Sequence, residues 1–141
     1  MPKVSDKLDY EAELGVVIGR RYRHVKAEDA RSVIAGYTVC NDVSVRDWQM
    51  ASQTMTLEKS FNTHGPIGPW IVTDDAIADP HALDIKIYVN GELRQQIKTD
   101  SMMYNIYKQT AHLSKVMTLE PEDVLATGTP SGVGIGMRVE T

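Results

Sequence analysis

Apolar and polar side chains alternate most clearly between residues 83 and 97. Residues 83–89 alternate, Asn90 and Gly91 follow, and residues 92–97 return to an extended pattern. An Asn-Gly pair between two such runs is typical of a type I′ turn, in which both central residues take a positive φ. This stretch predicts a β-hairpin.

A β-branched run predicts an earlier strand over residues 9–19. Residues 16–18 are Val, Val and Ile, and Gly19 closes the run. Alternate side chains of a strand share a face, so Glu11 and Glu13 point the same way, about 6–7 Å apart. Hard divalent cations prefer oxygen ligands, so the pair could bind one. Glu-x-Glu alone favours the other interpretation, an edge strand with both carboxylates in solvent.

The other periodic segments predict a mixed, strand-dominated α+β fold. Predicted helices cover residues 27–35, ending at Gly36, and residues 102–117, capped by Asp100 and Ser101. Further strands are predicted at residues 37–42, 70–73 and 123–127, and a glycine-rich loop follows at residues 128–134. There is no βαβ alternation to indicate a Rossmann sheet.

Composition bounds the class of protein. The 141 residues are 42% hydrophobic, which suits one domain spanning residues 1–141, and the net charge is −4. Basic residues are scattered and no apolar run could cross a bilayer, so neither a nucleic acid nor a membrane is an expected partner. The single cysteine, Cys40, excludes an internal disulfide and lies in an apolar strand. We interpret it as a buried thiol in a reducing, cytoplasmic setting.

Asp42 is the first candidate partner for Glu11 and Glu13, because it ends a predicted strand beside a loop. Three carboxylates leave about three positions of an octahedral site for water or substrate. By spacing alone, a turn-capping role for Asp42 is equally favoured. Lys59 lies among small and apolar residues, where its ammonium could stabilise developing negative charge. A surface lysine is the commoner outcome for such a position.

Arg46 and Gln49 follow Asp42 closely and could hold a substrate carboxylate, or could lie on the surface. Glycines in the loop after residue 127 would let backbone N–H groups approach an anion, although a plain tight turn is the alternative. His64 lies in a Gly-Pro loop and could approach the site. No histidine pair has metal-ligand spacing, and no G-x-S-x-G motif indicates a serine hydrolase.

Taken in order, these segments resemble the fumarylacetoacetate hydrolase family, in particular its bacterial single-domain members and 2-hydroxyhepta-2,4-diene-1,7-dioate isomerase-like proteins. The matching segments are Asp9–Gly15, Gly36–Asp47, Lys59–Phe61, Gly65–Trp70, Val89–Glu92, Thr118–Pro121 and Thr127–Pro130. Each motif is weak alone, but the ordered set is specific and covers nearly the whole chain.

The resemblance implies a mixed β-sandwich roll around one Mg²⁺ or Mn²⁺. The implied roles are metal ligation by Glu11, Glu13 and Asp42, an active-site lysine at Lys59, and substrate contacts from Arg46, Gln49 and Thr129. Family members act on 2-oxo or 1,3-dicarbonyl acids, in pathways such as aromatic catabolism. They hydrolyse carbon–carbon bonds, decarboxylate, or isomerise dienoates through a metal-stabilised enolate.

Two departures from the family pattern qualify this prediction. Members usually carry a stretch before the Glu-x-Glu strand that can supply a lid with a His–Glu pair, and they continue into closing strands after the position of Thr141. We therefore expect a domain that is incomplete at both ends, with exposed strand edges that favour a homodimer. Two functions remain open: a metal-dependent hydrolase or lyase of oxo-acids, and a non-catalytic metal- or ligand-binding fragment of the same fold.

Overall fold

The structure is a computed structural model that describes residues 2–51 and 53–137. The C-terminal residues 138–141 lie outside the described part of the chain. The strands are β1 (Leu8–Asp9), β2 (Ala12–Ile18), β3 (Ile34–Asn41), β4 (Ser44–Val45), β5 (Ile67–Thr73), β6 (Asp84–Val89), β7 (Glu92–Lys98) and β8 (Val124–Ala126). The α-helices are α1 (Arg46–Ala51) and α2 (Ile106–Val116), and 3-10 helices cover Ala27–Val33, Leu57–Lys59, Asp74–Ala76, Thr99–Ser101 and Gly134–Gly136.

A four-stranded antiparallel sheet with the order β5-β3-β2-β8 forms the centre of the molecule. β2 lies inside this sheet, and all seven of its residues are buried. The solvent-facing edge-strand interpretation of the Glu-x-Glu segment is therefore wrong. The main core packs Leu14 and Val16 of β2 with Tyr37, Ile85 and Ile106.

The predicted strand over residues 9–19 is interrupted before β2. β1 pairs with β4, Leu8 opposite Val45, whereas β2 pairs with β3 and β8. Between the two strands, the Asp9 side chain accepts a hydrogen bond from the Tyr10 amide at 2.8 Å. Glu11 therefore lies in a short connection where two strand pairs meet.

The hairpin prediction is confirmed by β6 and β7. Asn90 and Gly91 have φ values of 52° and 86°, which is the positive-φ pair that a type I′ turn requires. Ile85 on β6 is buried against the main core, so the hairpin lies over the central sheet.

Gly36 does not end a helix as predicted. The 3-10 helix ends at Val33, and β3 begins at Ile34. A Cβ atom at Gly36 would lie 2.3 Å from the carbonyl oxygen of Val72 in β5. The glycine therefore permits close approach of β3 and β5, and the β-branched Ile34 begins β3.

The second predicted helix begins later than expected. Thr99–Ser101 forms a 3-10 helix, and α2 starts at Ile106 because the Asn105 side chain accepts a hydrogen bond from the Lys108 amide at 2.9 Å. Over residues 2–51 and 53–137, no helix combines the length and apolar character needed to cross a membrane.

Candidate metal centre

The strand arrangement brings three predicted carboxylates together. Glu13 lies in β2 opposite Cys40, Asp42 directly follows β3, and the Asp42 amide donates to the Glu11 carbonyl at 3.0 Å. One carboxylate oxygen from each of Glu11, Glu13 and Asp42 lies within 4.8 Å of the others. We call these three residues the carboxylate cluster. Glu11 and Glu13 are buried and Asp42 is half-buried.

Lys59 contacts two members of the carboxylate cluster. Its Nζ donates to Glu11 Oε2 at 2.8 Å and to Asp42 Oδ2. Burial alone would lower the pKa of the ammonium, but hydrogen bonds to Asp42 and Glu11 outweigh burial and raise this pKa. Lys59 is therefore a charged part of the site, and the surface-lysine alternative is excluded by its position.

Arg46 is buried and already has three protein partners. Its Nε donates to Asp9 Oδ2 at 2.8 Å, its Nη2 lies 2.8 Å from Glu11 Oε1, and its Nη1 donates to Gln49 Oε1 at 3.0 Å. The guanidinium therefore neutralises and orients carboxylates of the site. Among the described residues, nothing accepts from the Gln49 amide nitrogen, which stays available as a donor. Substrate binding by Arg46 and Gln49 remains a prediction.

Asp9 is a site residue that sequence analysis missed. Besides Arg46 and its own neighbour Tyr10, it accepts hydrogen bonds from the amides of Gly134 at 2.7 Å and Ile135 at 3.0 Å. Burial would raise the pKa of this carboxyl, but the Ile135, Arg46, Gly134 and Tyr10 hydrogen bonds hold it below its usual value. Asp9 thus joins the C-terminal loop to the charged site. Its partners are distant in sequence, and no local motif marks them.

Glu13 is the least compensated carboxylate of the cluster. The Gly128 amide donates to Glu13 Oε2 at 2.8 Å, and no described group donates to the other oxygen. Burial raises the pKa of Glu13 to about 7, the Gly128 hydrogen bond opposes this effect, and Asp42 and Glu11 add to it. The same surroundings, burial first and then Glu13 and Asp42, raise the pKa of the buried Cys40 thiol to about 11.

Thr129 lies beside Ala12, the residue between Glu11 and Glu13, and its hydroxyl is already used by the protein. It donates to the Ala12 carbonyl at 3.1 Å and accepts from Gln95 Nε2 at 3.0 Å. Gly128, Thr129 and Met102 are among the residues that line a cleft of about 490 Å³. Substrate binding by Thr129 remains a prediction.

Phe61, in the segment after α1, packs its aromatic ring against the side chains of Trp48 in α1 and His64. Phe61 contacts Trp48 edge-on, with ring centroids 5.7 Å apart, and lies 5.0 Å from the ring of His64. Both ring nitrogens of His64 are buried without a partner in the described chain, and burial lowers its pKa. Glu58 is fully buried, and its carboxylate oxygens likewise lack a described partner. Nothing in the sequence pattern around Glu58 indicates that this residue is buried.

Comparison with known proteins identifies the family. Residues 1–140 match the family model of the fumarylacetoacetate (FAA) hydrolase C-terminal region. The chain is 46% identical over 136 residues to the Rattus norvegicus protein named oxaloacetate tautomerase Fahd2a, mitochondrial, covering 96% of this chain and 44% of that protein.

Solved structures give the same result. The 5-carboxymethyl-2-hydroxymuconate delta-isomerase of Mycobacterium smegmatis superposes with a TM-score of 0.90 at 42% identity, covering 95% of this chain and 52% of its own. Maleylpyruvate hydrolase from Sphingobium sp. SYK-6, in complex with manganese (II) ion and pyruvate, has a TM-score of 0.83 at 41% identity, covering 91% and 46%. The chain therefore spans about half the length of these relatives, which are enzymes. It belongs to the fumarylacetoacetate hydrolase family.

Proposed function

We propose that this chain supplies the metal- and substrate-binding part of an enzyme that uses Mg²⁺ or Mn²⁺ to transform 2-oxo or 1,3-dicarbonyl acids. The reaction would be carbon–carbon bond hydrolysis, decarboxylation or dienoate isomerisation. Relatives named as a tautomerase, an isomerase and a hydrolase support this range of chemistry. The manganese and pyruvate complex of the Sphingobium hydrolase supports a 2-oxo acid as the ligand class.

The charge balance of the site is the observation that carries the proposal. Four carboxylates, Asp9 and the carboxylate cluster, face the two cations Arg46 and Lys59. When all are ionised, two negative charges remain uncompensated, which is the charge that one divalent cation neutralises. The cluster also offers only oxygen donors, the type that Mg²⁺ and Mn²⁺ prefer. The residues present therefore fit the cation.

Each side chain has a separate role in this proposal. A bound divalent cation would supply a Lewis acid for the oxygens of the oxo-acid. The Lys59 ammonium holds positive charge beside Glu11 and Asp42, where it lowers the energy of negative charge that develops on the acid. Arg46 fixes Glu11 and Gln49, and the free Gln49 amide nitrogen can donate to a substrate carboxylate.

Calorimetric titration of the metal-stripped protein with Mn²⁺, followed by oxalate as an enolate mimic, tests the proposal. We expect one Mn²⁺ per chain, and oxalate binding only after the metal. Glu13→Gln should weaken Mn²⁺ binding at least about tenfold, because it removes one anionic ligand but can still accept from the Gly128 amide. This substitution is cleaner than one at Glu11, whose loss would strand both Arg46 and Lys59.

Glu28→Gln is the matched control, because Glu28 is exposed in the 3-10 helix at Ala27–Val33. It should bind Mn²⁺ like the wild type. Wild-type protein that binds no Mn²⁺, or a Glu13→Gln variant with unchanged affinity, would rule out this metal site. Mn²⁺ binding without oxalate binding would instead favour the non-catalytic, metal-binding alternative.

The predicted homodimer and the cytoplasmic setting remain proposals. Exposed apolar side chains on β3 and β5, among them Val39, Ile67, Trp70 and Ile71, provide a surface that a second copy would cover. β5 is also an edge strand of the central sheet, so its outer backbone groups are open to pairing.

A further inference from the structure

We propose that Gln95, on β7, is a positioning residue that fixes the loop at residues 127–131 against β2 and so sets the geometry of the substrate side of the site. The inference rests on the proposed function for the identity of that site. Among the described residues, no hydrogen bond joins Gln95 to the carboxylate cluster, so it would act through the loop and through Ala12.

Gln95 joins two segments that are far apart in the sequence. Its Oε1 accepts from the Ala12 amide at 2.9 Å, and its Nε2 donates to Thr129 Oγ1 at 3.0 Å and to the Pro130 carbonyl at 2.8 Å. The Ser131 carbonyl lies 3.5 Å from the same nitrogen. The side chain is only 2% exposed, so these hydrogen bonds form away from solvent.

The hydrogen bonds form a closed ring around Ala12, the residue between Glu11 and Glu13. The Ala12 amide donates to Gln95, Gln95 donates to Thr129, and Thr129 donates back to the Ala12 carbonyl. Displacement of any member of the ring moves the backbone that carries both glutamates or the loop that faces them.

The loop is the part of the ring that reaches the site. The Gly128 amide donates to Glu13 Oε2, and Gly128 and Thr129 also line a cleft of about 490 Å³. When the hydrogen bonds from Gln95 are lost, the loop loses its attachment to β7 and keeps the direct hydrogen bonds of Thr127, Gly128 and Thr129 to β2. We expect the Gly128 amide and Thr129 then to shift relative to a bound oxo-acid. The oxygens of Glu11 and Asp42 are affected less, because Lys59 and Arg46 hold Glu11, and Lys59 also holds Asp42. Of the three metal-binding carboxylates, only Glu13 has a hydrogen bond that this shift would weaken, the one from the Gly128 amide.

Only a side-chain amide of this length supplies the acceptor and the paired donors in one plane. Methionine has a similar length but cannot donate. Glutamate keeps an acceptor for the Ala12 amide but, when ionised, cannot donate to the loop carbonyls. The chain also provides a matched control, because Gln96 is the next residue of the same strand and is exposed.

Oxalate affinity of the Mn²⁺-loaded protein is the first measurement. Gln95→Met should weaken oxalate binding about tenfold, which is the value of one to two neutral hydrogen bonds. Its Mn²⁺ affinity should change less than about threefold. Gln95→Glu should likewise weaken oxalate binding and leave Mn²⁺ affinity nearly unchanged. This second variant tests the inference if Gln95→Met does not fold. Gln96→Met should behave like the wild type in both titrations.

The amide resonance of Gly128 in the metal-free protein is the second measurement. We expect it to move upfield and to exchange faster with solvent in both Gln95 variants, while β3 amides keep their protection. Folded Gln95 variants with wild-type oxalate affinity and an unchanged Gly128 resonance would overturn the inference. So would a parallel loss of Mn²⁺ and oxalate affinity. If the wild type binds neither, the proposed function fails, and the Gly128 resonance alone decides whether Gln95 positions the loop.

Discussion

The two ends of β2 are equally buried but have opposite chemistry. At the C-terminal end, Val16 and Ile18 lie in apolar surroundings, with Ile34 and Tyr37 of β3 in the same core as Val16. At the N-terminal end, Glu13 and the adjacent Glu11 meet ammonium, guanidinium and amide groups. One continuous strand therefore connects an apolar core to a buried charged site.

This difference indicates which end stabilises the fold. Apolar burial contributes about 25 cal/mol per Å², whereas buried charges must recover a desolvation cost through their partners. The pKa of Glu13 is about 7 in the metal-free protein, which shows that its partners offset the least of this desolvation cost. We infer that the apolar end anchors the strand and that the charged end is kept for binding.

The largest expected effect is at the apolar end. Ile18 is 2% exposed, so Ile18→Ala should lower the free energy of unfolding by roughly 3–4 kcal/mol through lost burial and a residual cavity. Urea denaturation measures this change. Leu93→Ala, at a 48% exposed position of β7, should stay within about 0.5 kcal/mol. A large loss of Mn²⁺ affinity in folded Ile18→Ala would show that the two ends are not independent.

The next effect is a pH dependence that belongs to the charged end. Because the pKa of Glu13 is about 7 in the folded protein, against 4.5 ordinarily, the folded state holds the proton more tightly than the unfolded state. Stability from Glu13 is therefore present below about pH 4.5 and is lost as the pH rises through 7, by up to about 3 kcal/mol. Unfolding of metal-free wild type and Glu13→Gln at pH 5 and pH 8 measures it.

Glu13→Gln should lose that part of the pH dependence, and Glu28→Gln should keep it. If the free energy of unfolding changes equally between pH 5 and pH 8 in wild type and Glu13→Gln, Glu13 is ionised throughout this range. Saturating Mn²⁺ should reverse the wild-type trend, because the metal competes with the proton for the carboxylate.

The smallest effect concerns Lys59. Lys59→Met leaves Glu11 and Asp42 facing each other, so the metal-free variant should lose about 2 kcal/mol of stability. Saturating Mn²⁺ should then raise its melting temperature more than that of the wild type, since the cation replaces the missing charge. Lys115→Met, at an exposed position of α2, should show the wild-type gain. A smaller gain in Lys59→Met would mean that the ammonium assists metal binding.

Local signals explain what could be predicted from the sequence. The Asn90-Gly91 turn requires only its own backbone, so the hairpin was predictable at residue level. The two-residue period predicted Glu11 and Glu13 on one side, whereas for Asp42 the spacing left a turn-capping role equally favoured, because its place beside them depends on the pairing of β2 with β3. The hairpin and the shared side of the two glutamates need no knowledge of distant contacts.

Tertiary contacts determine the features that could not be predicted from the sequence. Gly36 is set by the approach of Val72, Asp9 by amides more than a hundred residues away, and Gln95 by its ring with Ala12 and Thr129. None of these partners has a fixed spacing in the sequence. A polar residue on a hairpin strand looks solvent-exposed until the loop that covers it is known.

The pairing of β2 with both β3 and β8 has a kinetic consequence. Gly15 is opposite Thr38 in β3 but also opposite Ala126 in β8, about 110 residues away. Closing the longer loop costs more chain entropy, so we expect the β2–β8 pairing, and with it Gly128 and Thr129, to form late in folding. A cation that binds only the finished site would then slow unfolding and leave the folding rate almost unchanged.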